Sequence, residues 1–358
     1  MQDIYILAID TSCDETSVSV VKNDCVLSNS ISSQIELHKK YGGVVPIIGS
    51  RAHMERIDPM IHEALKNAHL NIDQIDVYAV TYGPGLAIAL QVGIQKAKDL
   101  SIQYSKPLIA INHLEGHMYA NFARNSKGNL YSNKMEFPIL ASLISGGHTQ
   151  FILMIDHGNF KLIGETLDDA CGEAFDKVGR MLKLGYPGGP IIEKMAKFGD
   201  ENKYKLPIPM LQSNDYNMSY SGLKTAVLHL IKDIEGKSAL HERLTADANL
   251  TKNQIQDIAA CFQKVAFKQI TFKLEKAIKQ YQPKSILLGG GVVENKVIRK
   301  EINLLCKKYN LIFSAPTKKM SMDNAAMIGI VAYYHALKKD YVTDFAKLQR
   351  NPILNFSK

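Results

Sequence analysis

An α/β fold in two related lobes is the architecture this 358-residue sequence predicts. Three observations carry it. Strand-like runs rich in Ile and Val alternate with helical ones along the chain. A strand, polar turn and returning strand occur near the amino terminus and recur past residue 135. Apolar residues make up 46% of the chain, ample for sizeable cores in a protein of this length.

The elements follow in order. Ile4–Asp10 reads as a first strand, since its short apolar run is stopped by an aspartate, and no signal peptide is legible. Thr11–Glu15 is a polar turn and Thr16–Lys22 the returning strand. Arg51–Lys66 has a helical pattern and Val77–Tyr82 reads as a strand; Gly83-Pro84-Gly85 then breaks into a helix through about Leu100. A further strand precedes His113. Phe137–Ile144, the turn Ser145–Thr149 and Gln150–Ile155 form the second copy of the opening device. Helices are expected over Asp169–Leu182, Ser221–Ile234 and Thr251–Tyr281, with an irregular connection at Gly199–Tyr220. A buried strand, Ser285–Leu288, runs into Gly289-Gly290-Gly291 and a helix from about Glu294; a last long helix begins at Ser321–Met327.

The most telling stretch is His113-Leu114-Glu115-Gly116-His117. On a helix, positions i and i+4 share a face with β-carbons about 5–6 Å apart, so two neutral imidazoles can close on one divalent cation. Alone, such a pair reads equally as a solvated helix face. Leu114 occupies the position where a zinc protease needs its glutamate, which disfavours peptide hydrolysis. Asp323 would complete a two-histidine, one-carboxylate site if the chain returns there; the alternative is helix capping by Asp323 and Asn324.

Asp10-Thr11-Ser12-Cys13-Asp14-Glu15-Thr16 packs three carboxylates and their hydroxyl neighbours into one turn at a strand end. It reads as a phosphate- or metal-facing turn or as a plain hydrophilic hairpin. Ser145-Gly146-Gly147-His148-Thr149 is its counterpart, whose glycines permit close backbone approach to an anion. Gly289-Gly290-Gly291 lies between strand and helix, where nucleotides dock, but lacks both the dinucleotide and the P-loop spacing. Asn295 reads as a nucleotide contact or a helix start. Asp168 and Asp169 suit a helix amino terminus, and Asp169, Glu173 and Asp176 would share one side of that helix. Asp176 lies deepest and is the better ligand candidate.

No apolar run approaches the roughly 20 residues a bilayer span needs. The five scattered cysteines lack a CxxC pair and suggest reduced thiols. A net charge of +8, from 36 lysines and 7 arginines, favours a polyanion such as RNA, though no short basic arm is present.

Taken in order, these segments resemble the TsaD (Gcp) family of tRNA N6-adenosine threonylcarbamoyltransferases, on its bacterial branch. The matching motifs run from Asp10 to Met327. They comprise the Asp10–Thr16 turn, Gly42-Gly43-Val44-Val45-Pro46, Gly83-Pro84-Gly85-Leu86, the His113/His117 pair and Ser145–Thr149. Gly172–Lys177, Tyr186–Pro190, Ser221–Ala226, Gly289–Val292 and Asp323–Met327 complete the set. Ile47, Tyr82 and Met322 depart from the pattern, standing where many relatives carry acidic, acidic and threonine residues. Leu143 sits where archaeal and eukaryotic relatives have tyrosine; with His148 after the glycines, that indicates the bacterial or organellar branch.

The resemblance implies the two-lobed actin/Hsp70/hexokinase-like (ASKHA) fold with ligand in the interlobe cleft. Residues 1–112 would form one lobe, completed by a carboxy-terminal helix over 321–340, and 113–320 the other. It implies transfer of a threonylcarbamoyl group from threonylcarbamoyl-adenylate to N6 of adenosine 37 in tRNAs reading ANN codons, with release of AMP. His113, His117 and Asp323 would ligate one divalent metal, iron foremost and zinc as the alternative. Leu143, Ile144, Ser145, Gly146 and Gly147 would line the nucleotide site, with Asp176, Gly189, Glu193 and Asn295 contacting the donor. Asp14 or Glu15 is expected nearest the incoming amine. A cytoplasmic enzyme working with a TsaB-like paralogue and a TsaE-like ATPase is implied. A small-molecule kinase of the same fold using Asp10, and a non-catalytic nucleotide-binding scaffold, are the competing readings.

Overall fold

The computed structural model describes residues 3–41, 43–236 and 250–356. Gly42 of the Gly-Gly-Val-Val-Pro motif and the stretch 237–249, within the span 113–320, lie outside the described residues. Sheet A is built from β1 (Tyr5–Asp10), β2 (Glu15–Lys22), β3 (Cys25–Ser33), β4 (Val77–Gly83) and β5 (Leu108–Asn112), in the order β3-β2-β1-β4-β5. Sheet B is built from β6 (Ile139–Ile144), β7 (Thr149–Asp156), β8 (Asn159–Glu165), β9 (Ser285–Gly289) and β10 (Ile312–Ser314). Its order, β10-β9-β6-β7-β8, is the same topology: two antiparallel hairpin pairings, then two parallel ones. The repeated strand–turn–strand device is therefore the front edge of a repeated sheet.

The first hairpin device continues into β3, and the second into β8. Neither strand is legible in the sequence, because β3 reads Ser-Asn-Ser through its centre and β8 alternates weakly and is half-exposed.

Both sheets are covered on both faces. Along β1, Leu7 and Ile9 face α2 (Pro46–Ala68) and α3 (Ala87–Tyr104), while Ile6 and Ala8 face the interior between the sheets. Along β6, Leu140 and Ile144 face a helical layer with α5 (Cys171–Met181), α7 (Ser221–Ile234), α8 (Lys252–Tyr281) and α9 (Lys296–Lys308), and Ile139, Ala141 and Leu143 face inward. Such strands read as continuous apolar runs because neither face meets water. Each buried Leu or Ile contributes about 1.5–3 kcal/mol.

Between the sheets lie α4 (His113–Tyr119) and α11 (Ala325–Leu337). Their close approach depends on Gly116: a β-carbon there would sit 2.9 Å from Ile328 Cδ1 and 3.1 Å from Met327 Cγ. The glycine inside the histidine motif thus lets α4 settle on α11. His335 of α11 pins the far end, 3.2 Å from Glu115 of α4 and 2.8 Å from Asp340. Burial disfavours its charged form, but Glu115 and then Asp340 outweigh that and raise its pKa above the ordinary histidine value. A raised folded-state pKa adds stability that is full below the unfolded value of about 6.5 and fades as pH climbs past the raised one. His335→Gln should therefore cost on the order of 1–2 kcal/mol near about pH 6 and much less near about pH 9. Urea unfolding at both pH values checks this, and equal losses would refute it.

The segment between Ala196 and Ser221 carries no regular helix or strand, as expected. The helix expected from Asp169 begins instead at Cys171. Asp168 and Asp169 precede it and serve other partners. Asp168 accepts the backbone N–H groups of Tyr220 (2.7 Å) and Ser221 (3.1 Å) and the hydroxyl of Ser221, capping α7. Asp169 pairs with Lys177 and Lys224, both at 2.6 Å.

Candidate metal centre and interlobe cleft

The carboxyl ends of β1, β5, β6 and β9 converge, and each is followed by a residue of the candidate site. Open parallel sheets place ligands there because strand ends and helix starts leave backbone groups unpaired. Asn112 caps α4, its side chain accepting the N–H of Leu114, which places His113 and His117 on the helix's first turns. Asn324 caps α11 by accepting the N–H of Met327. Capping therefore falls to Asn324 alone, leaving the neighbouring Asp323 carboxylate for the histidines.

Asp323 Oδ1 lies 3.4 Å from His113 Nε2 and 3.2 Å from His117 Nε2, and the rings cross edge-on with centroids 4.7 Å apart. Ligand atoms from all three lie within 4.8 Å of one another, a span compatible with donors about 2 Å from one ion. His113 is 7% exposed and His117 1%. Neither ring nitrogen of His117 has a hydrogen-bond partner. Leaving a buried polar atom unsatisfied costs about 1–3 kcal/mol, so a buried imidazole without a hydrogen bond, whose Nε2 faces a carboxylate, suits a cation ligand. The residues present fit a divalent metal.

Asp10 Oδ2 stands 3.5 Å from His113 Nδ1, on the side away from Asp323. The two are within ion-pair range without a hydrogen bond, and an acid so placed behind an imidazole is the kind of support that orients a metal ligand. In the sequence Asp10 belongs to a turn that reads as metal-facing or as a hydrophilic hairpin, and stands as a kinase base in the competing reading; its distance to His113 could not be read locally. Burial opposes protonation of His113, but Asp323 and then Asp10 overcome it and raise its pKa well above the ordinary value. Burial likewise pushes Asp323 up, and the two histidines hold it well below the carboxylate range. His148 is lowered to about 4 by burial and then by His113 and His117, so it stays neutral beside the cluster.

Asp14 is 9% exposed. Glu15 beside it has its pKa raised by burial, then by Asp323 and Asp14, so Asp323 lies within electrostatic reach of Glu15. Burial, then Asp14 and Asp176, raise the pKa of Tyr186, which lies within electrostatic reach of this turn. The tyrosine itself went unremarked in the sequence, where Tyr186–Pro190 figures only as a matching motif.

The other wall is backbone. Leu143 and Ile144 bury their side chains in the two cores and can offer a ligand only main-chain groups. Ser145 closes its turn by exchanging hydrogen bonds with His148. Around Gly146, Gly147 and Gly189 an added β-carbon meets nothing within 4 Å, so the space in front of them is open. Gly290 is the opposite case. It holds φ +90°, and a β-carbon would meet the Ile144 carbonyl oxygen at 2.5 Å. Only glycine lets β9's exit loop lie against that of β6.

Asp176, Glu193 and Asn295 each brace a helix start. Asp176 accepts the N–H of Gly188 at 2.7 Å, where α6 (Gly188–Ala196) begins. Glu193 accepts the N–H of Lys296 at 3.2 Å. Asn295 caps α9 through Val297 N–H and donates to Gln263 Oε1 at 2.8 Å. Asp169 and Glu173 do not join Asp176, since both pair with Lys177.

Residues 25–330 match the family model described as TsaD, tRNA N6-adenosine threonylcarbamoyltransferase. A relative of that name from Thermosipho africanus is 44% identical over 330 residues, covering 92% of this chain and 94% of its own. One from Staphylococcus haemolyticus is 43% identical over 335 residues, covering 93% and 92%. Among solved structures, HypF of T. kodakarensis superposes with a TM-score of 0.62 at 13% identity, over 94% of this chain and 48% of that one. Component A of the (R)-2-hydroxyglutaryl-CoA dehydratase of Acidaminococcus fermentans superposes with a TM-score of 0.50 at 16% identity, over 93% and 99%. These distant likenesses speak to the fold alone, which is the two-lobed ASKHA architecture.

Proposed function

The chain belongs to the TsaD family of tRNA N6-adenosine threonylcarbamoyltransferases, and from that membership we propose how its cleft divides the work of the transfer. The reaction is an acyl transfer that modifies N6 of adenosine in tRNA. In the proposal the donor is threonylcarbamoyl-adenylate, the acceptor adenosine 37 of tRNAs reading ANN codons, and the leaving group AMP. His113, His117 and Asp323 would hold one divalent cation, iron before zinc for a two-histidine, one-carboxylate set, which when bound supplies Lewis-acid polarisation of the donor carbonyl. Asp10 keeps His113 turned toward Asp323.

The main chain of Leu143–Gly147, with Gly189 opposite, receives the adenylate, and the open space before those glycines lets the phosphate approach. Asp176, Glu193 and Asn295 act on this pocket by fixing the helix starts that form it. Asp14 and Glu15 receive the adenine amine, a poor nucleophile whose reaction depends on orientation and on removal of its proton. We take 1–112 with 321–340 as one lobe and 113–320 as the other, in keeping with the two sheets. Partnership with a TsaB-like paralogue and a TsaE-like ATPase, and a cytoplasmic setting, follow from the resemblance. No helix among the described residues is long and apolar enough to cross a membrane.

The observation that carries the reading is His117, buried with no hydrogen bond at either ring nitrogen and with Nε2 3.2 Å from Asp323 Oδ1. A kinase or scaffold gives that arrangement no use. The test is mass analysis of nucleosides from tRNA incubated with threonylcarbamoyl-adenylate, with and without the two partners. A threonylcarbamoyl mass gain on adenosine is expected; its absence under every combination, with metal loaded, would overturn the reading.

A further inference from the structure

Behind the Asp10–Glu15 turn, a file of buried polar side chains runs to the start of α2. Gln34, His38 and His53 are all 0% exposed. His53 Nε2 lies 3.0 Å from the Cys13 carbonyl oxygen, and its Nδ1 lies 2.8 Å from Thr16 Oγ1 and 3.3 Å from Gln34 Nε2. Gln34 Nε2 also reaches the Gly49 carbonyl at 3.4 Å, and Gln34 Oε1 lies 3.2 Å from His38 Nε2. His38 Nδ1 lies 3.2 Å from the backbone nitrogen of Val45, in the Gly-Gly-Val-Val-Pro motif.

Valence alone orders every proton in this file. A carbonyl oxygen only accepts, so His53 Nε2 carries a hydrogen toward Cys13, and the single lone pair of Nδ1 is shared between Thr16 at 2.8 Å and the longer contact from Gln34 at 3.3 Å. The Gly49 carbonyl fixes the amide nitrogen of Gln34 on its side, so Oε1 faces His38, whose Nε2 must donate. His38 Nδ1 is then free to accept the Val45 N–H. Every donor meets an acceptor, running one way from Val45 to Cys13. Burial lowers the His53 pKa, which keeps the ring neutral as the file requires.

Three successive carbonyls of the turn are each held from outside it. Leu86 N–H donates to the Ser12 carbonyl at 2.7 Å, Gln34 N–H to the Asp14 carbonyl at 2.9 Å, and His53 to the Cys13 carbonyl between them. Two of these anchors are main chain; the middle one, directly before Asp14, is a side chain. We propose that His53, backed by Gln34 and His38, is the positioning residue that holds Asp14 and Glu15 in register with the triad, and that the backbone at Val45 acts on the reaction through this file.

The inference rests on the role given above to Asp14 and Glu15, and the two can fail separately. Wild-type turnover by both Asp14→Ala and Glu15→Ala would sink that role; an inactive Asp14→Ala beside a fully active His53→Ala would sink only this inference. In the zinc-loaded full-length protein, nitrogen-15 NMR of the histidines is expected to find His53 and His38 neutral with the proton on Nε2. A proton on Nδ1, or an imidazolium, in either ring overturns the file. His53→Ala is expected to cut kcat on the order of 100-fold, with metal content and the KM for the adenylate unchanged. His53→Gln, which keeps an N–H near the Nε2 position, should recover most of it. Metal, KM and kcat failing together, without rescue by glutamine, would mark plain structural support and also overturn the proposal. Should the alanine variant not fold, the tautomers and the glutamine variant decide it.

Discussion

His117→Ala is expected to lose bound metal and, with it, transferase activity by on the order of 1000-fold. The magnitude follows from the worth of a Lewis acid at a developing charge, several kcal/mol, at about 1.4 kcal/mol per tenfold in rate. The variant removes a ring that makes no hydrogen bond, and Asp323, 3.2 Å from it, keeps His113 as its partner at 3.4 Å. The fold should therefore survive, held by the α4 and α11 contacts around Gly116. Elemental analysis of purified protein, paired with single-turnover transfer to tRNA, measures both quantities on one sample. A metal-free variant that transfers at the wild-type rate would remove the metal from the mechanism.

Asp14→Ala should abolish transfer by a different route, with metal content intact. Proton transfer by a placed side chain is worth about 100- to 10000-fold, and the adenine amine needs it more than most nucleophiles. Asp14 lies among neither the histidines nor the helix caps, and its backbone carbonyl, held by Gln34, stays in place after truncation. Asp14→Asn, which keeps the shape and removes the charge, should be nearly as inactive. Loss of metal in step with activity would move Asp14 into the ligand set. Full activity in both variants would leave the base elsewhere, with Glu15 the first residue to examine.

The contrast between these two residues shows what could be read early. The i, i+4 spacing of His113 and His117 is a local fact, because a helix turns the same way wherever it sits. The Asp10–Thr16 turn and the Ser145–Thr149 turn were legible for the same reason, as polar breaks between apolar runs, and their repetition foretold two sheets of one topology. Other assignments went astray where a side chain serves an element distant in sequence. Asp168 looks like part of the helix beside it, yet it caps α7 some fifty residues on. Asp169, Glu173 and Asp176 look like one acidic face, yet two of them answer Lys177 and the third holds Gly188.

By itself, then, the sequence determined the repeated strand–turn–strand frame, the paired imidazoles and the glycines at strand ends, because each depends on neighbours within a turn or two. Only the folded chain decided that Asp323 rather than Asn324 meets those imidazoles, that Asp10 stands behind them, and that His53 carries a proton to the Cys13 carbonyl. These are distances between segments far apart along the chain. They are set by how α4 and α11 pack between two sheets, a balance of close contacts that no local pattern encodes.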